Sequence, residues 1–311
     1  MHRRAFIATA AAGGLVALGF DAFGSSPSAS PLAIHKALKI GMITGGATLS
    51  EKFAIAREAG FAGVELDAPA EVDAEELADA KQSSGVVVPG VVNSAHWSKP
   101  LNHQDESVRE EGLAAFEQAI RDANAWCDRG VGQFSFAPTV LLVPAVVDGT
   151  KSYDEAYDLS IRGIARVLPL AKELGVQIAI ENVWNNFLLS PVEAARYVDE
   201  LNEIAGDTVV GWYLDVGNLW RYGWPTHWVR ALGSRIMRLD IKAYSRAKAD
   251  SEGKWAGFGA EIGDGDIDWA ATRRALSSVG FTGWAVAEVG GGDLERLQSI
   301  SARLDRVLGL G

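Results

Sequence analysis

From residue 37 onward the sequence switches hydrophobic period repeatedly, with short β-branched or apolar runs alternating with longer amphipathic stretches. Eight such pairs fit into about 275 residues. The strand-like runs lie at Lys39 to Ile43, Gly63 to Leu66, Val86 to Val92, Val140 to Val143, Gln177 to Glu181, Gly211 to Asp215, Ile236 to Ile241 and Trp284 to Glu288. A helical stretch follows each, and Ala59-Gly60, Gly175 and Gly280 supply helix stop signals. Strand then helix, eight times over, predicts an α/β fold of the TIM (β/α)8 barrel type, because a doubly wound sheet rarely alternates so regularly. Residues 37–311 are therefore expected to form one barrel domain, with its one long loop from Tyr244 to Asp268.

Composition agrees with a large core. Of 311 residues, 48% are apolar and 22% charged, with ten Trp, so enough surface can be buried to offset chain entropy. The 29 Lys and Arg against 40 Asp and Glu give a net charge of −11, which argues against a nucleic-acid partner and favours a small molecule. Cys127 is the single cysteine, so no internal disulfide forms; it is expected to be a small buried hydrophobe in a helix. Residues 1–30 carry Arg3-Arg4, an uncharged run from Ala5 to Phe20 and small residues at Ser28-Ala29-Ser30, the plan of a signal peptide. The arginine pair resembles a twin-arginine export signal. The run is shorter than the roughly 20 apolar residues of a bilayer span, so no membrane anchor is expected after cleavage. A periplasmic or secreted protein is expected.

A closed barrel places its chemistry at the carboxyl ends of its strands, and four of the expected strands finish on an acid: Glu181, Asp215, Asp240 and Glu288. Each follows an apolar run, so four carboxylates would converge on one rim and repel one another unless a cation neutralised them. An all-oxygen set suits Mg²⁺ or Mn²⁺ better than Zn²⁺. A single acid at a strand end can equally be a helix N-cap or a partner for arginine. Donors stand nearby: Lys242 lies two residues beyond Asp240, Arg246 in the adjoining loop, His96 at the end of the third strand, and Glu65 at the end of the second. Lys242 could also serve only to pair with Asp240 or Asp215. Trp97, Trp184, Trp220 and Trp224 lie just beyond strand ends, where they would suit the apolar faces of a pyranose or cap the barrel top. His227 and Trp228 are expected to be packing or capping residues. Gly290-Gly291-Gly292 lacks the spacing of a phosphate loop, and neither GxSxG nor a Ser or Cys arrangement with His stands out.

At these positions the chain resembles the xylose isomerase-like TIM-barrel superfamily of sugar (phosphate) isomerases and epimerases, which also contains endonuclease IV. The most specific stretches are Glu181-Asn182-Val183-Trp184-Asn185 with Phe187-Leu188-Leu189-Ser190-Pro191, then Asp215-Val216-Gly217-Asn218, and Gly263-Asp264-Gly265-Asp266-Ile267-Asp268-Trp269. The resemblance implies a divalent metal, Mn²⁺, Mg²⁺ or Co²⁺, held by Glu181, Asp215, Asp240 and Glu288. It also implies that Glu181 and Glu288 exchange the substrate proton, with Arg246 beyond the third ligand. Asp240 stands where the family usually has histidine, followed by Lys242 at the lysine of the common His-x-Lys-Asp strand. Either a fourth carboxylate has been gained or that ligand is lost; with four, a dication keeps a net charge of −2 that Lys242 would have to offset. Asn218 replaces a substrate-binding histidine of ketose 3-epimerases, and Phe187 replaces a glutamate.

The implied reaction is proton abstraction α to a carbonyl, with return of the proton to the same carbon for epimerisation or to its neighbour for isomerisation. A signal for export argues for an unphosphorylated sugar or keto-sugar. The same intermediate could expel a C1 substituent, making a 3-keto-glycoside lyase the alternative enzyme, and a catalytically silent sugar-binding barrel the alternative outside enzymes. An endonuclease would need a histidine-rich zinc site, whereas the barrel region offers few histidines on an acidic chain. Substrate contacts are expected from His96, Lys242, Arg246, Glu65, Trp184 and Asn218, and homo-oligomerisation stays open.

Overall fold

The computed structural model describes residues 33–221 and 223–310; the expected leader, residues 1–30, lies outside them. Ten strands are described: β1 Ile34–Lys39, β2 Gly63–Ala68, β3 Gly90–Asn93, β4 Gly130–Val131, β5 Phe134–Ser135, β6 Thr139–Leu142, β7 Gln177–Glu181, β8 Val210–Asp215, β9 Ile236–Ile241 and β10 Gly283–Ala287. Eight of them close into a barrel in the order β1-β10-β9-β8-β7-β6-β3-β2. Every pair in that barrel is parallel, the TIM-barrel topology expected from the alternation. β4 and β5 form a short antiparallel hairpin outside it.

The helices are α1 Leu49–Glu58, α2 Ala74–Ser84, α3 Glu106–Trp126, α4 Tyr153–Leu174, α5 Pro191–Ala205, α6 Val216–Leu219, α7 Pro225–Leu232, α8 Arg246–Glu252, α9 Trp269–Ser278 and α10 Leu294–Leu308. Many begin on a Ser, Thr or Asp whose side chain accepts from the third residue of the helix, as Thr48, Asp73, Ser152, Ser190 and Asp268 do. α4 and α5 end at Gly175 and Gly206 in the left-handed region, at φ 61° and 60°. Helix and strand faces form one large apolar cluster, while Ala37, Leu141, Ala179, Tyr213, Trp284 and Val286 fill the barrel interior.

Several boundaries depart from the sequence reading. The first strand lies earlier, at Ile34–Lys39, and Ile40–Met42 instead winds into a 3-10 turn. The second runs on to Ala68, so Glu65 sits mid-strand and does not end it. The third is confined to Gly90–Asn93, which leaves His96 in the turn beyond it. The long Tyr244 to Asp268 segment contains α8 and a 3-10 turn at Ala256–Gly259. Cys127 is not within a helix: it is the half-buried, extended residue just after α3, and burial raises its thiol far above the usual range. Trp228 is buried, in keeping with a packing role.

Candidate active site

The four strand-end acids come together. One carboxylate oxygen from each of Glu181, Asp215, Asp240 and Glu288 lies within 4.8 Å of the others, with Glu181, Asp215 and Asp240 buried and Glu288 half-buried. Glu181 ends β7, Asp215 ends β8, Asp240 is the penultimate residue of β9, and Glu288 follows β10. Asp215 does two things at once. Its Oδ1 caps α6 by accepting from the Asn218 N–H at 2.8 Å, while its Oδ2 faces a lysine ammonium. Asp240 Oδ1 is buried with no hydrogen-bond donor. Carboxylates packed this closely repel one another, and a cation would relieve that repulsion.

Two lysines enter the cluster. The Lys242 ammonium sits 2.7 Å from both Asp215 Oδ2 and Glu288 Oε2. On the other side Lys39, which sequence reasoning did not single out, lies 2.7 Å from Glu65 Oε2 and 3.2 Å from Asp240 Oδ2. Lower in the barrel Arg238 is buried and exerts its charge on Glu65. Lys39 and Lys242 thus offset only part of the negative charge that the four acids and Glu65 carry when ionised. The all-carboxylate donor set, gathered within 4.8 Å, fits a hard divalent cation such as Mg²⁺ or Mn²⁺.

Electrostatics separate the acids. Burial, reinforced by Glu288 and Asp215, pushes Glu181 well above the usual carboxylate range. Burial likewise raises Asp240 against the opposing pull of Lys39, and lifts Asp215 to about 6 despite Lys242. Burial would also raise Glu288, but Lys242 and Lys39 outweigh it and hold that carboxyl low. Burial lowers His96 to about 4, so its imidazole is neutral. Its Nδ1 accepts from the Val143 N–H at 3.3 Å, leaving the proton on Nε2.

The motifs have local causes. Asn182 bridges β7 and β8: its Oδ1 accepts from Trp212 Nε1 and the Asp215 N–H, while its Nδ2 donates to the Asp215 carbonyl. Asn218 returns a bond to the Asn182 carbonyl. Gly217 is required because a Cβ there would come within 2.3 Å of the Lys242 side chain. In the Gly263–Trp269 stretch Asp264 pairs with Arg303 and Arg306, Asp266 accepts from the Arg246 N–H, and Asp268 caps α9.

Glu181 and Glu288 border a cavity of about 870 Å³ at the carboxyl ends of the strands, lined also by Lys39, His96, Trp184, Asn218 and Lys242 among others, while Asp215 and Asp240 lie fully buried behind that lining. Asp67 also lines it. Glu65 and Arg246 are not among the lining residues. Glu65 is buried under Lys39 and accepts from Tyr213 OH at 2.9 Å, and Arg246 donates to the Trp220 carbonyl and lies over the Trp220 ring. Trp184 donates from Nε1 to the Asn218 carbonyl. The 3-10 turn of the long loop adds Trp255 and Phe258, which the sequence reading had left aside.

A family model described as xylose isomerase-like TIM barrel matches residues 53–306. An Escherichia coli (strain K12) protein named for L-ribulose-5-phosphate 3-epimerase activity is 26% identical over 219 residues, 68% of this chain and 70% of that protein. Among solved structures, a D-psicose 3-epimerase determined in the presence of D-fructose superposes with a TM-score of 0.67 at 18% identity, over 89% of this chain and all of that one. The E. coli 3-keto-D-glucoside 4-epimerase does so at 0.68 and 15%, over 88% and 98%. At these identities the structural likeness speaks for the fold.

Proposed function

The chain belongs to the xylose isomerase-like TIM barrel family, and on that premise we propose that it is a divalent-metal-dependent isomerase or epimerase of an unphosphorylated sugar or keto-sugar. The convergence of Glu181, Asp215, Asp240 and Glu288 within 4.8 Å of one another, with Glu181 and Glu288 lining the cavity and Asp215 and Asp240 buried behind them, carries this reading. Relatives named for sugar epimerase activity support it. Those four side chains would hold the cation, Mn²⁺ or Mg²⁺ by donor chemistry, with Co²⁺ as a further choice. When bound, it would supply Lewis acidity toward a carbonyl oxygen and the neighbouring hydroxyl.

The remaining work falls to the chain's own groups. Glu181 and Glu288 arise from different strands, so one would take the proton from the carbon α to the carbonyl while the other delivers a proton from another direction. Return to the same carbon inverts it; delivery to the adjacent carbon isomerises. Lys242, between Asp215 and Glu288, keeps those acids ionised and offers N–H donors to substrate oxygens. The neutral His96 and the walls of the cavity would orient the sugar and exclude water. Export by the twin-arginine route to the periplasm or medium completes the reading, supported by Arg3-Arg4 and the uncharged run after it.

The test is incubation with Mn²⁺ and a panel of ketoses and 3-keto-glycosides in D₂O. Deuterium uptake at carbon without cleavage is the expected result. Release of the C1 substituent would make the protein a lyase. Metal binding with neither outcome would leave a silent sugar-binding barrel and overturn the proposal.

A further inference from the structure

Two of the large apolar side chains exposed on this protein, Trp97 at 54% and Trp255 at 62%, line the same cavity as the acids. Trp255 does not stand alone. Its ring lies 4.6 Å from that of Trp184, which is 4.8 Å from Phe258, so three rings form one aromatic wall. The wall starts at the chemistry: the Lys242 ammonium, in contact with Asp215 and Glu288, is 5.6 Å from the centre of the Phe258 ring. It ends at the open mouth. Trp97 packs edge-on against His96, 5.5 Å away, and adds a further exposed indole to the lining.

The wall is held in place. Tyr244 OH donates to the Lys254 carbonyl at 2.8 Å, and the Ser245 N–H donates to the Gly257 carbonyl at 2.9 Å. Gly257 passes so close to the Tyr244 ring that a Cβ would lie 2.5 Å from it. The same loop is tied to α10 through Glu261 with Arg296 and Asp264 with Arg303. A ring surface fixed in advance loses little conformational freedom on binding.

The cavity is also too large for one sugar ring. Its 870 Å³ lies near the upper end of the roughly 300–1,000 Å³ that enclose drug-sized ligands, whereas a monosaccharide would leave most of it filled with water against indole faces. Exposed aromatic surface beside a catalytic cluster is the kind of patch that a ligand covers. Resting on the function proposed above, we infer that Trp255, Trp184 and Phe258 form a subsite for an apolar, planar substituent on the sugar. The substrate is then a keto-glycoside with an aromatic aglycone, its keto-sugar at the acids and its aglycone on the wall.

Binding of matched phenyl and methyl β-glycosides of glucose, galactose and xylose, measured by calorimetry on the full chain, tests this. For at least one sugar the phenyl compound is expected to bind about tenfold tighter than the methyl one, as ring stacking plus added burial predicts. Trp255→Ala and, separately, Phe258→Ala should shrink that preference to about twofold, with unchanged melting temperatures confirming that the variants fold. Equal affinity within every pair, no binding of any compound, or a preference that survives both substitutions overturns the inference. These ligands need no proton abstraction, so a chain that prefers phenyl glycosides yet exchanges no deuterium upholds the subsite and sinks the enzymatic reading. Deuterium exchange without aryl preference does the reverse.

Discussion

Strand β9 carries an inward-facing charge at both ends of the barrel, and the two ends treat it differently. At the amino-terminal end Arg238 donates through Nη2 to the Pro89 carbonyl, the Ala137 carbonyl and Thr139 Oγ1. Its guanidinium lies 5.5 Å from the centre of the Phe136 ring, which packs on Trp284, and His35 and Phe134 continue that aromatic cluster. Two residues on, at the carboxyl end, Asp240 has the Lys39 ammonium 3.2 Å from Oδ2 and stands among three other acids, two of which, Glu181 and Glu288, face the open cavity. One buried charge is held by groups on neighbouring segments; the other belongs to a cluster of like charges. Burial of a charge therefore says little by itself, and what distinguishes a site is a set of like charges brought together.

The sharpest way to break that contrast is to neutralise one residue at each end. Glu181→Gln or Glu288→Gln should lower deuterium exchange by about 10²–10⁴-fold, the usual worth of a positioned acid or base, measured by mass spectrometry of the substrate. Arg238→Met should leave metal stoichiometry unchanged while costing about 2–3 kcal/mol of stability in urea denaturation, because the buried Pro89 carbonyl and Thr139 Oγ1 lose a charged donor. If Arg238→Met also emptied the site, the two ends would not be independent. Lys39→Met is expected to cost the metal-free protein about 3 kcal/mol by leaving Glu65 and Asp240 buried without their counter-ion. Metal should still bind, since the pocket becomes more negative.

Acidity gives a third handle. In the metal-free fold Asp215 titrates near 6, and Glu181 and Asp240 stand well above the ordinary range, chiefly through burial. A raised folded value means that these groups contribute stability below about pH 4, where the unfolded chain is protonated too, and lose it as pH rises through 6. A cation must displace those protons. The rise in melting temperature on adding Mn²⁺ is thus predicted to be small at pH 5 and to grow by pH 8. The smallest effect is expected from Arg303→Ala, which removes a partly exposed pair with Asp264 and should change stability by less than about 1 kcal/mol.

The carboxyl end was legible in the sequence where an apolar run stopped on an acid, as Ile178-Ala179-Ile180-Glu181 and Trp212-Tyr213-Leu214-Asp215 do. It was hidden where charges lie within a strand. β1 contains Lys36, which turns outward to Ser301 and Asp305, and Lys39, which turns toward Glu65. Those charges make Ile34–Lys39 read as a loop and shift the expected strand to Lys39–Ile43. That shift puts Lys39 at the wrong end of the barrel and conceals it as a site residue. The same kind of displacement explains Glu65: once β2 extends to Ala68, the alternation places Glu65 below the rim and brings Asp67 to the cavity. Trp255 and Phe258 sit on short turns of a loop without hydrophobic period, so nothing local announced where their rings would face. Cavity walls built by such loops are long-range products of packing.

The central claim is that four carboxylates share one divalent ion. Metal content of protein purified without chelators and then equilibrated with Mn²⁺ tests it most directly, read beside Asp215→Asn, whose side-chain oxygen can still cap α6. About one ion per wild-type chain, falling below about a tenth in the variant, is the predicted result. A wild-type chain that retains no ion, or a variant that holds it equally well, would contradict the account.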